Sequence, residues 1–221
     1  MDLATFTNIF SGSATKPMNQ HRKLVLDALF LLSQRFRNQS IDQSQWHQKP
    51  QWIADFPVAL EKYEQEILSR LNQPTLTAQP KGLLLSLLQT QNNLAHLICR
   101  LAERLTYRPI ELTESLEGSM DELSHYLYET MHCLRLRITK QDQVDLAGFK
   151  KQHIQAMDDI HHEIGGRLDA LKVLISQVKS DVFQSEGKLD PLDSALLLLS
   201  LEDLDDLTFW VRSLIIHIQQ L

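Results

Sequence analysis

Glycine and proline are scarce in this chain, with seven of each among 221 residues. Tight turns depend on these two residues, so their scarcity argues against many short strands and favours long helices. Clusters of β-branched residues are also nearly absent, whereas leucine is abundant. Since 43% of the residues are hydrophobic, the chain can bury a core for one large domain or two small ones. The composition therefore predicts an all-α protein.

Cysteine and long apolar runs are in short supply as well. Cys99 and Cys133 do not make a disulfide framework, and both lie in helical patterns, which predicts reduced, buried thiols. The N-terminal MDLATFTNIFSGSAT has an early acidic residue and no basic region, which is not typical of a signal peptide. No run of about 18 uncharged apolar residues occurs, because Arg212 interrupts the best candidate. These absences predict a soluble protein of the cytoplasm.

Basic side chains are outnumbered, 22 against 28 acidic ones, and the net charge of −6 argues against nucleic-acid binding. Arg100, Arg104 and Arg108 recur at helical spacing without interleaved aromatic residues for base stacking, so we expect a solvated helix face that pairs with neighbouring acids. The chain also lacks a Gly-x-Ser-x-Gly elbow, a glycine-rich phosphate loop and a cysteine in a reactive context. We therefore expect no nucleophilic catalysis.

The spacing of apolar residues and breakers predicts six helices. Their predicted bounds are Pro17 to Asn38, Asp42 to Leu71, Pro80 to Thr106, Leu112 to Ile138, Asp142 to Phe183, and Pro191 onward. Pro50 and Pro57 disturb the second helix, and Gly165-Gly166 marks a potential break in the fifth.

The third and sixth helices resemble each other. QPKGLLLSLLQTQNNLAHLI and DPLDSALLLLSLEDLDDLTFW share an initial proline, a leucine run, a polar block and a return to apolar residues. Aligned on the polar blocks, three amides stand opposite three acids: Gln89 with Glu202, Asn92 with Asp205, and Asn93 with Asp206. The pattern predicts two three-helix bundles related by an internal pseudo-repeat, residues 1–107 and 108–221, packed as one compact domain.

The densest acid cluster of the chain lies inside this apolar sixth helix, in SLEDLDDLTFW. Glu202 and Asp206 are four residues apart, so both project from one face of the helix. Leucines one turn before and aromatic residues one turn after frame them on that face, which predicts that it is buried. Buried carboxylates need a cation, strong hydrogen-bond donors or protonation. The opposite stripe consists of Leu197, Leu201, Leu204, Leu207, Val211 and Leu214.

Two carboxylates spaced i, i+4 offer oxygen ligands to a divalent metal ion, with neighbouring helices adding the others. The fifth helix has further candidates in AMDDIHHEI, where two pairs share this spacing: Asp158 with His162, and Asp159 with Glu163. Oxygen and imidazole ligands together suit iron, manganese or zinc better than calcium. The spacing thus makes Glu202 and Asp206, with these four, candidate metal ligands.

Two simpler explanations of the acids stay open. Either Arg135, Arg137 or Arg212 pairs with them, or they line a groove that is open to solvent. In the first half of the chain the aligned amides are poor metal ligands, and amides in a core more often cross-link helices by hydrogen bonds.

The whole chain resembles the PhoU-like phosphate-transport regulators, in particular the stand-alone branch associated with Pit-type phosphate transporters. Three segments carry the resemblance: IFSGSATKPMNQHRKLVLDA, LLSLLQTQNNLAHL and DPLDSALLLLSLEDLDDL. The resemblance implies two three-helix bundles, and an acid-x-x-x-Asp motif on successive helices that holds iron or zinc in some members. Glu202 and Asp206 fit that motif directly, and either Asp158 with His162 or Asp159 with Glu163 fits its copy on the fifth helix.

The other copies of the motif depart from the family pattern. On the second helix Glu61 is present, but Pro57 occupies the position one turn earlier. On the third helix, the residues at the expected acid positions are Asn92, Asn93 and His96. One of the two implied metal clusters is therefore incomplete.

The resemblance implies a non-enzymatic regulator of inorganic phosphate uptake that acts through protein partners, namely a phosphate transporter or its signalling proteins. Its contact with a membrane protein would be peripheral, and a homo-oligomer is compatible with this role. Two other functions stay open: a carboxylate and histidine metal enzyme built on a helical bundle, and a helical adaptor unrelated to phosphate. Ferritin-like enzymes place Glu-x-x-His pairs on two helices, whereas the acid pairs here are spaced i, i+4.

Overall fold

The computed structural model describes residues 14–39, 51–72, 80–108, 110–146 and 150–220, and these residues form six helices without a strand. The helices are α1 (Thr15–Gln39), α2 (Gln51–Asn72), α3 (Lys81–Arg104), α4 (Glu114–Leu146), α5 (Lys150–Gln184) and α6 (Pro191–Gln219). The all-α prediction is confirmed. The predicted start of the second helix at Asp42 lies outside the described residues.

The start of α6 is where the sequence predicts it. Pro191 occupies the first turn, where a missing N–H is not needed for the helix ladder. The carboxylate of Asp190 accepts hydrogen bonds from the backbone N–H groups of Leu192 at 2.8 Å and Asp193 at 3.4 Å. This side-chain cap satisfies two of the N–H groups that have no partner within a helix.

Two predicted boundaries in the second half are wrong. α4 continues beyond Ile138 to Leu146, so the predicted start of the fifth helix at Asp142 lies inside α4. The segment after Ile138 loses apolar periodicity, but it contains no glycine or proline before Leu146 that would end the helix.

The potential break at Gly165-Gly166 does not occur, since α5 is continuous from Lys150 to Gln184. α5 packs against both α4 and α6, and Arg212 of α6 donates a hydrogen bond to the carbonyl oxygen of Gly165 at 3.2 Å. A glycine costs a helix about 1 kcal/mol relative to alanine, which tertiary packing of this kind outweighs.

The helices pack as two sets of three. In the first set α1 contacts α2 and α3, and α2 contacts α3; in the second set α5 contacts both α4 and α6. The sets join through equivalent helices, α1 with α4 and α3 with α6. This arrangement confirms the two-bundle architecture with an internal pseudo-repeat. The division into units at residue 107, which falls between α3 and α4, stays a prediction.

One continuous apolar core runs through both sets of helices. The stripe of α6 opposite Glu202 and Asp206 is the inward one, and all six of its residues are at 3% exposure or less. Cys99 and Cys133 do not form a disulfide, and both are half-buried against the core, so the prediction of buried thiols holds only in part. In the described part of the chain, no helix combines the length and hydropathy that crossing a bilayer requires.

Candidate functional site

The interface between α3 and α6 contains the row of arginines and the one buried acid of the SLEDLDDLTFW cluster. The two helices run antiparallel, because Arg100 reaches Asp203 whereas Thr90, ten residues earlier on α3, lies 3.0 Å from Nδ1 of His217 near the end of α6. The sequence alignment of the two helices places Thr90 opposite Asp203 and His217 opposite Arg104. The Thr90–His217 and Asp203–Arg104 contacts are therefore two copies of one contact, which supports the alignment.

Asp203 is the buried acid of the cluster, with a side chain that is 5% exposed. Its Oδ1 accepts a hydrogen bond from Nη2 of Arg100 at 2.6 Å, and its Oδ2 accepts one from Nη1 of Arg104. The same nitrogen of Arg104 donates to the carbonyl oxygen of Leu199 at 2.7 Å. Two guanidinium groups thus supply the positive charge that a buried carboxylate requires.

A second buried acid, Asp193, lies at the opposite end of this row of arginines. It is 1% exposed, and its Oδ1 lies 2.9 Å from Nε of Arg108. Its Oδ2 accepts a 3.4 Å hydrogen bond from the backbone N–H of Glu111. The arginines at positions 100, 104 and 108 therefore form one row of ion pairs along α6, which confirms that they pair with neighbouring acids.

The arginines that the sequence suggested as partners of the cluster pair elsewhere. Nε of Arg135 lies 2.6 Å from Oδ1 of Asp27, which joins α4 to α1. The other two pairs are Arg137 with Glu163 at 2.7 Å and Arg212 with Asp169 at 2.5 Å. That suggestion is therefore wrong.

Glu202 and Asp206 are exposed, so the prediction that their face of α6 is buried is wrong. Leu199 and Phe209, which frame the two acids, are themselves 43% and 55% exposed. Oδ2 of Asp206 lies 3.9 Å from Nη2 of Arg100, at the edge of the row of arginines. α6 is apolar on almost every side, so apolar neighbours do not distinguish its inner from its outer face. Successive residues of a helix point about 100° apart, so Asp203 points inward although Glu202 beside it points outward.

The four metal candidates of α5 lie apart from those of α6. Oδ1 of Asp158 accepts a 2.5 Å hydrogen bond from Gln219, at the C-terminal end of α6, whereas Glu202 and Asp206 lie near the middle of that helix. The α5 residue beside the acid cluster is Lys172, whose Nζ lies 3.9 Å from Oδ1 of Asp205. The structure therefore does not bring the two predicted ligand sets together.

The individual α5 candidates have other contacts. Nδ1 of His162 lies 2.9 Å from the backbone oxygen of Asp158, and Glu163 accepts from Arg137 and from Sγ of Cys133 at 3.3 Å. Asp159 is exposed. In the described residues, no three His, Cys, Asp or Glu side chains are placed to hold a metal ion. Binding of iron or zinc to Glu202 and Asp206, with or without the α5 residues, stays a prediction.

Glu-x-x-His does occur in this chain, but on one helix. Glu122 with His125 and Glu129 with His132 both lie on α4. The ring of His132 stacks on Tyr128 at a centroid distance of 5.8 Å. A ferritin-like site draws such pairs from two facing helices, so these two do not reproduce it.

Sequence reasoning missed a buried polar link between α1 and α3. His21 is fully buried, and its Nδ1 lies 2.7 Å from Oε1 of the equally buried Gln91. Burial lowers the pKa of His21, although its contacts with Gln91, Glu64 and Asn92 act in the opposite direction. Because Gln91 presents its oxygen, a neutral His21 donates through Nδ1 in this link. His21 stands between Met18 and Val25 in the apolar stripe of α1, and that spacing is the signal that could have identified it.

The neighbouring amide also connects helices. Nδ2 of Asn92 donates a 2.7 Å hydrogen bond to Oε1 of Glu64 on α2. Together with Gln91, it confirms that amides of the third helix cross-link the first half of the molecule.

At the α4–α5 contact, burial first and then Glu163 raise the pKa of the Cys133 thiol, which disfavours the reactive thiolate.

Two solved structures share this fold over nearly the whole chain. A candidate PhoU-like phosphate regulatory protein from Shewanella oneidensis MR-1 superposes with a TM-score of 0.68 and 19% sequence identity, covering 94% of this chain and 97% of its own. A PhoU-like protein from the same organism gives a TM-score of 0.72 and 18% identity, covering 92% and 96%. No family model and no curated protein sequence matches the chain. The fold is therefore PhoU-like.

Proposed function

We propose that this chain is a non-catalytic regulator of inorganic phosphate uptake, acting in the cytoplasm through contact with a phosphate transporter or its signalling proteins. The observation that carries the proposal is the superposition, over more than nine-tenths of both chains, on a candidate PhoU-like phosphate regulatory protein. The segments of sequence that resemble PhoU-like proteins, from the N-terminus to α6, add to this support.

The chemistry of the described residues fits a role without catalysis. The buried acids Asp193 and Asp203 are held by arginines, and charged groups fixed in this way support the fold rather than react. The raised pKa of Cys133 disfavours a nucleophilic thiolate. The described residues form six packed helices, and a helical surface suits regulation by contact.

Phosphate uptake in cells with and without the gene tests the proposal. Labelled inorganic phosphate would be followed at low and at high external phosphate, with labelled sulfate uptake as the control for general transport. We expect a change in phosphate uptake alone, restored by a plasmid copy of the wild-type gene. Unchanged phosphate uptake under both conditions would refute the role and leave a helical adaptor unrelated to phosphate.

The metal prediction is separate from this role. Elemental analysis of protein purified without added metal tests it, because a site that binds a transition metal tightly keeps it through purification. Less than about a tenth of an equivalent of iron, zinc or manganese would remove both the metal site and the enzyme alternative.

A further inference from the structure

The exposed side of α6 carries a second regular stripe, which we call the outer α6 stripe. Its residues recur at alternating steps of three and four: Leu192, Ala195, Leu199, Glu202, Asp206, Phe209, Ser213 and Ile216. Ser213 is half-buried and the other seven are exposed. This spacing is the heptad pattern by which one helix packs along another, and it extends here for about 36 Å.

The fold does not require apolar residues on this stripe. The aligned positions of α3 in the pseudo-repeat are also exposed or half-buried, yet they hold only small or polar residues: Gly82, Ser86, Gln89, Asn93, His96, Arg100 and Glu103. Large apolar side chains on the outer α6 stripe, such as Leu192 and Phe209 at 54% and 55% exposure, gain little from folding of this chain. Large apolar side chains that recur along one exposed face are typical of an interface with another protein.

The charge at the centre of the stripe specifies what covers it. Among the described residues Glu202 makes no ion pair, and Asp206 approaches Arg100 at 3.9 Å while its side chain stays 67% exposed. A helix laid along the stripe takes both carboxylates out of water, which is unfavourable unless the covering helix supplies positive charge. The occupant therefore has a basic centre between two apolar segments.

A second copy of this chain does not meet that requirement. Parallel or antiparallel pairing of the stripe with itself, in register, places Glu202 and Asp206 of one copy against the same residues of the other. Like charges that face each other in an interface oppose association, and an anionic lipid surface repels the acids in the same way.

We propose that the outer α6 stripe docks an amphipathic helix of a partner protein, whose apolar stripe is interrupted at its centre by lysine or arginine. The apolar contacts would give affinity, and the central charges would fix register and partner choice, as polar positions do in coiled coils. The biological purpose of this docking rests on the proposed function, since a regulator that acts by contact needs a surface for its partner.

Two designed helical peptides test the proposal on the full purified chain. Both carry the same leucine stripe, and the two central stripe positions are lysine in one and glutamate in the other. With fluorescein labels and anisotropy titration, we expect the lysine-centred peptide to bind at least about tenfold more tightly. Glu202→Lys plus Asp206→Lys should reverse that preference, and Leu199→Ser plus Phe209→Ser should weaken the lysine-centred peptide at least about tenfold.

The aligned positions of α3 provide the matched control, because Gln89→Lys plus Asn93→Lys adds the same residues on the other third helix and should leave peptide binding unchanged. Circular dichroism would verify that each variant keeps its helical content. Equal affinity for the two peptides, or no effect of the serine changes, would overturn the proposal. So would self-association in sedimentation that the serine changes abolish, or equal loss of binding with the α3 variant. None of these readouts involves phosphate uptake, so the docking surface and the proposed function fail separately.

Discussion

The two halves of this molecule join their helices at equivalent positions with different chemistry. In the first half the links are largely uncharged, with His21 bonded to Gln91 and Thr90 bonded to His217 of the other half. In the second half they are ionic, since Arg212 pairs with Asp169 and Arg137 pairs with Glu163. Asp203, at the place aligned with Thr90, likewise binds two arginines of α3. The repeat thus preserves the place of the Thr90 and Asp203 contacts but not their chemistry, whereas Gln91 is aligned with the buried Leu204.

The same comparison separates two roles for the acids of α6. Asp203 faces inward and is neutralised within the chain, whereas Glu202 and Asp206 face outward, where α3 has Gln89 and Asn93. An acid cluster in an apolar helix therefore has two explanations, one for each face. The inward acid stabilises the α3–α6 interface, and the outward pair gives charge to an apolar surface stripe.

The largest effect should come from breaking the ionic contact. Asp203→Ala leaves Arg104, whose side chain is 18% exposed, without its carboxylate, and we expect a loss of about 3 kcal/mol in the free energy of unfolding. The matched change in the other copy, Thr90→Ala, removes the hydroxyl that contacts His217 without leaving a buried arginine unpaired, and it should cost about 1 kcal/mol. Urea denaturation measures both. Equal losses would show that the Asp203–Arg104 and Thr90–His217 contacts contribute the same free energy of unfolding despite their different chemistry.

The buried histidine of the first half should make stability depend on pH. Because burial lowers the pKa of His21 in the folded state, the unfolded state binds a proton first as the pH falls below about 6.5. Its contribution is present above that pH and is lost below it, with a slope of up to about 1.4 kcal/mol per pH unit. In the His21→Gln variant, the slope of the unfolding free energy against pH between pH 7 and pH 5 should therefore be smaller by up to about 1.4 kcal/mol per pH unit. His96→Gln, at an exposed position of α3, is the control, and equal slopes for the two variants would contradict the prediction.

The second helices of the two halves offer a smaller test. Asn92 contacts Glu64 on α2, and the aligned Asp205 contacts Lys172 on α5. These two contacts align α2 with α5, with Glu64 matched to Lys172. In that alignment Val58 of α2 is matched to Gly166 of α5. Gly166 is exposed, and a Cβ there meets no atom within 4 Å. Gly166→Ala should therefore raise the free energy of unfolding by about 0.5–1 kcal/mol, measured by urea denaturation. A loss of stability would mean that α5 needs a glycine there.

Making the outer face of α6 like that of α3 should have the smallest effect on stability. Glu202→Gln plus Asp206→Asn copies Gln89 and Asn93, and removing two like charges four residues apart should add about 0.2–0.5 kcal/mol. We expect a slightly higher melting temperature by circular dichroism. A marked decrease in the melting temperature would indicate instead that a cation bound to the acids stabilises the chain, in agreement with the metal prediction.

The fold was largely predictable because helical periodicity is a local property. Leu197, Leu201, Leu204 and the rest of the inward stripe of α6 follow from their spacing alone, and so does the match between α3 and α6. The choice of buried acid was not predictable in this way, because it depends on how α3 docks against α6. The spacing of Arg100, Arg104 and Arg108 contained that information, but only the packed structure shows which acids they meet.

Phosphate uptake in cells that carry the Leu199→Ser plus Phe209→Ser variant is the most direct test of the central claim, that the outer α6 stripe is the surface through which this protein acts. We predict uptake like that of cells without the gene, at protein levels equal to wild type by immunoblot, whereas Gln89→Lys plus Asn93→Lys should behave like wild type. If loss of the gene alters phosphate uptake but the serine variant restores it fully, the protein acts through another surface and the claim is wrong.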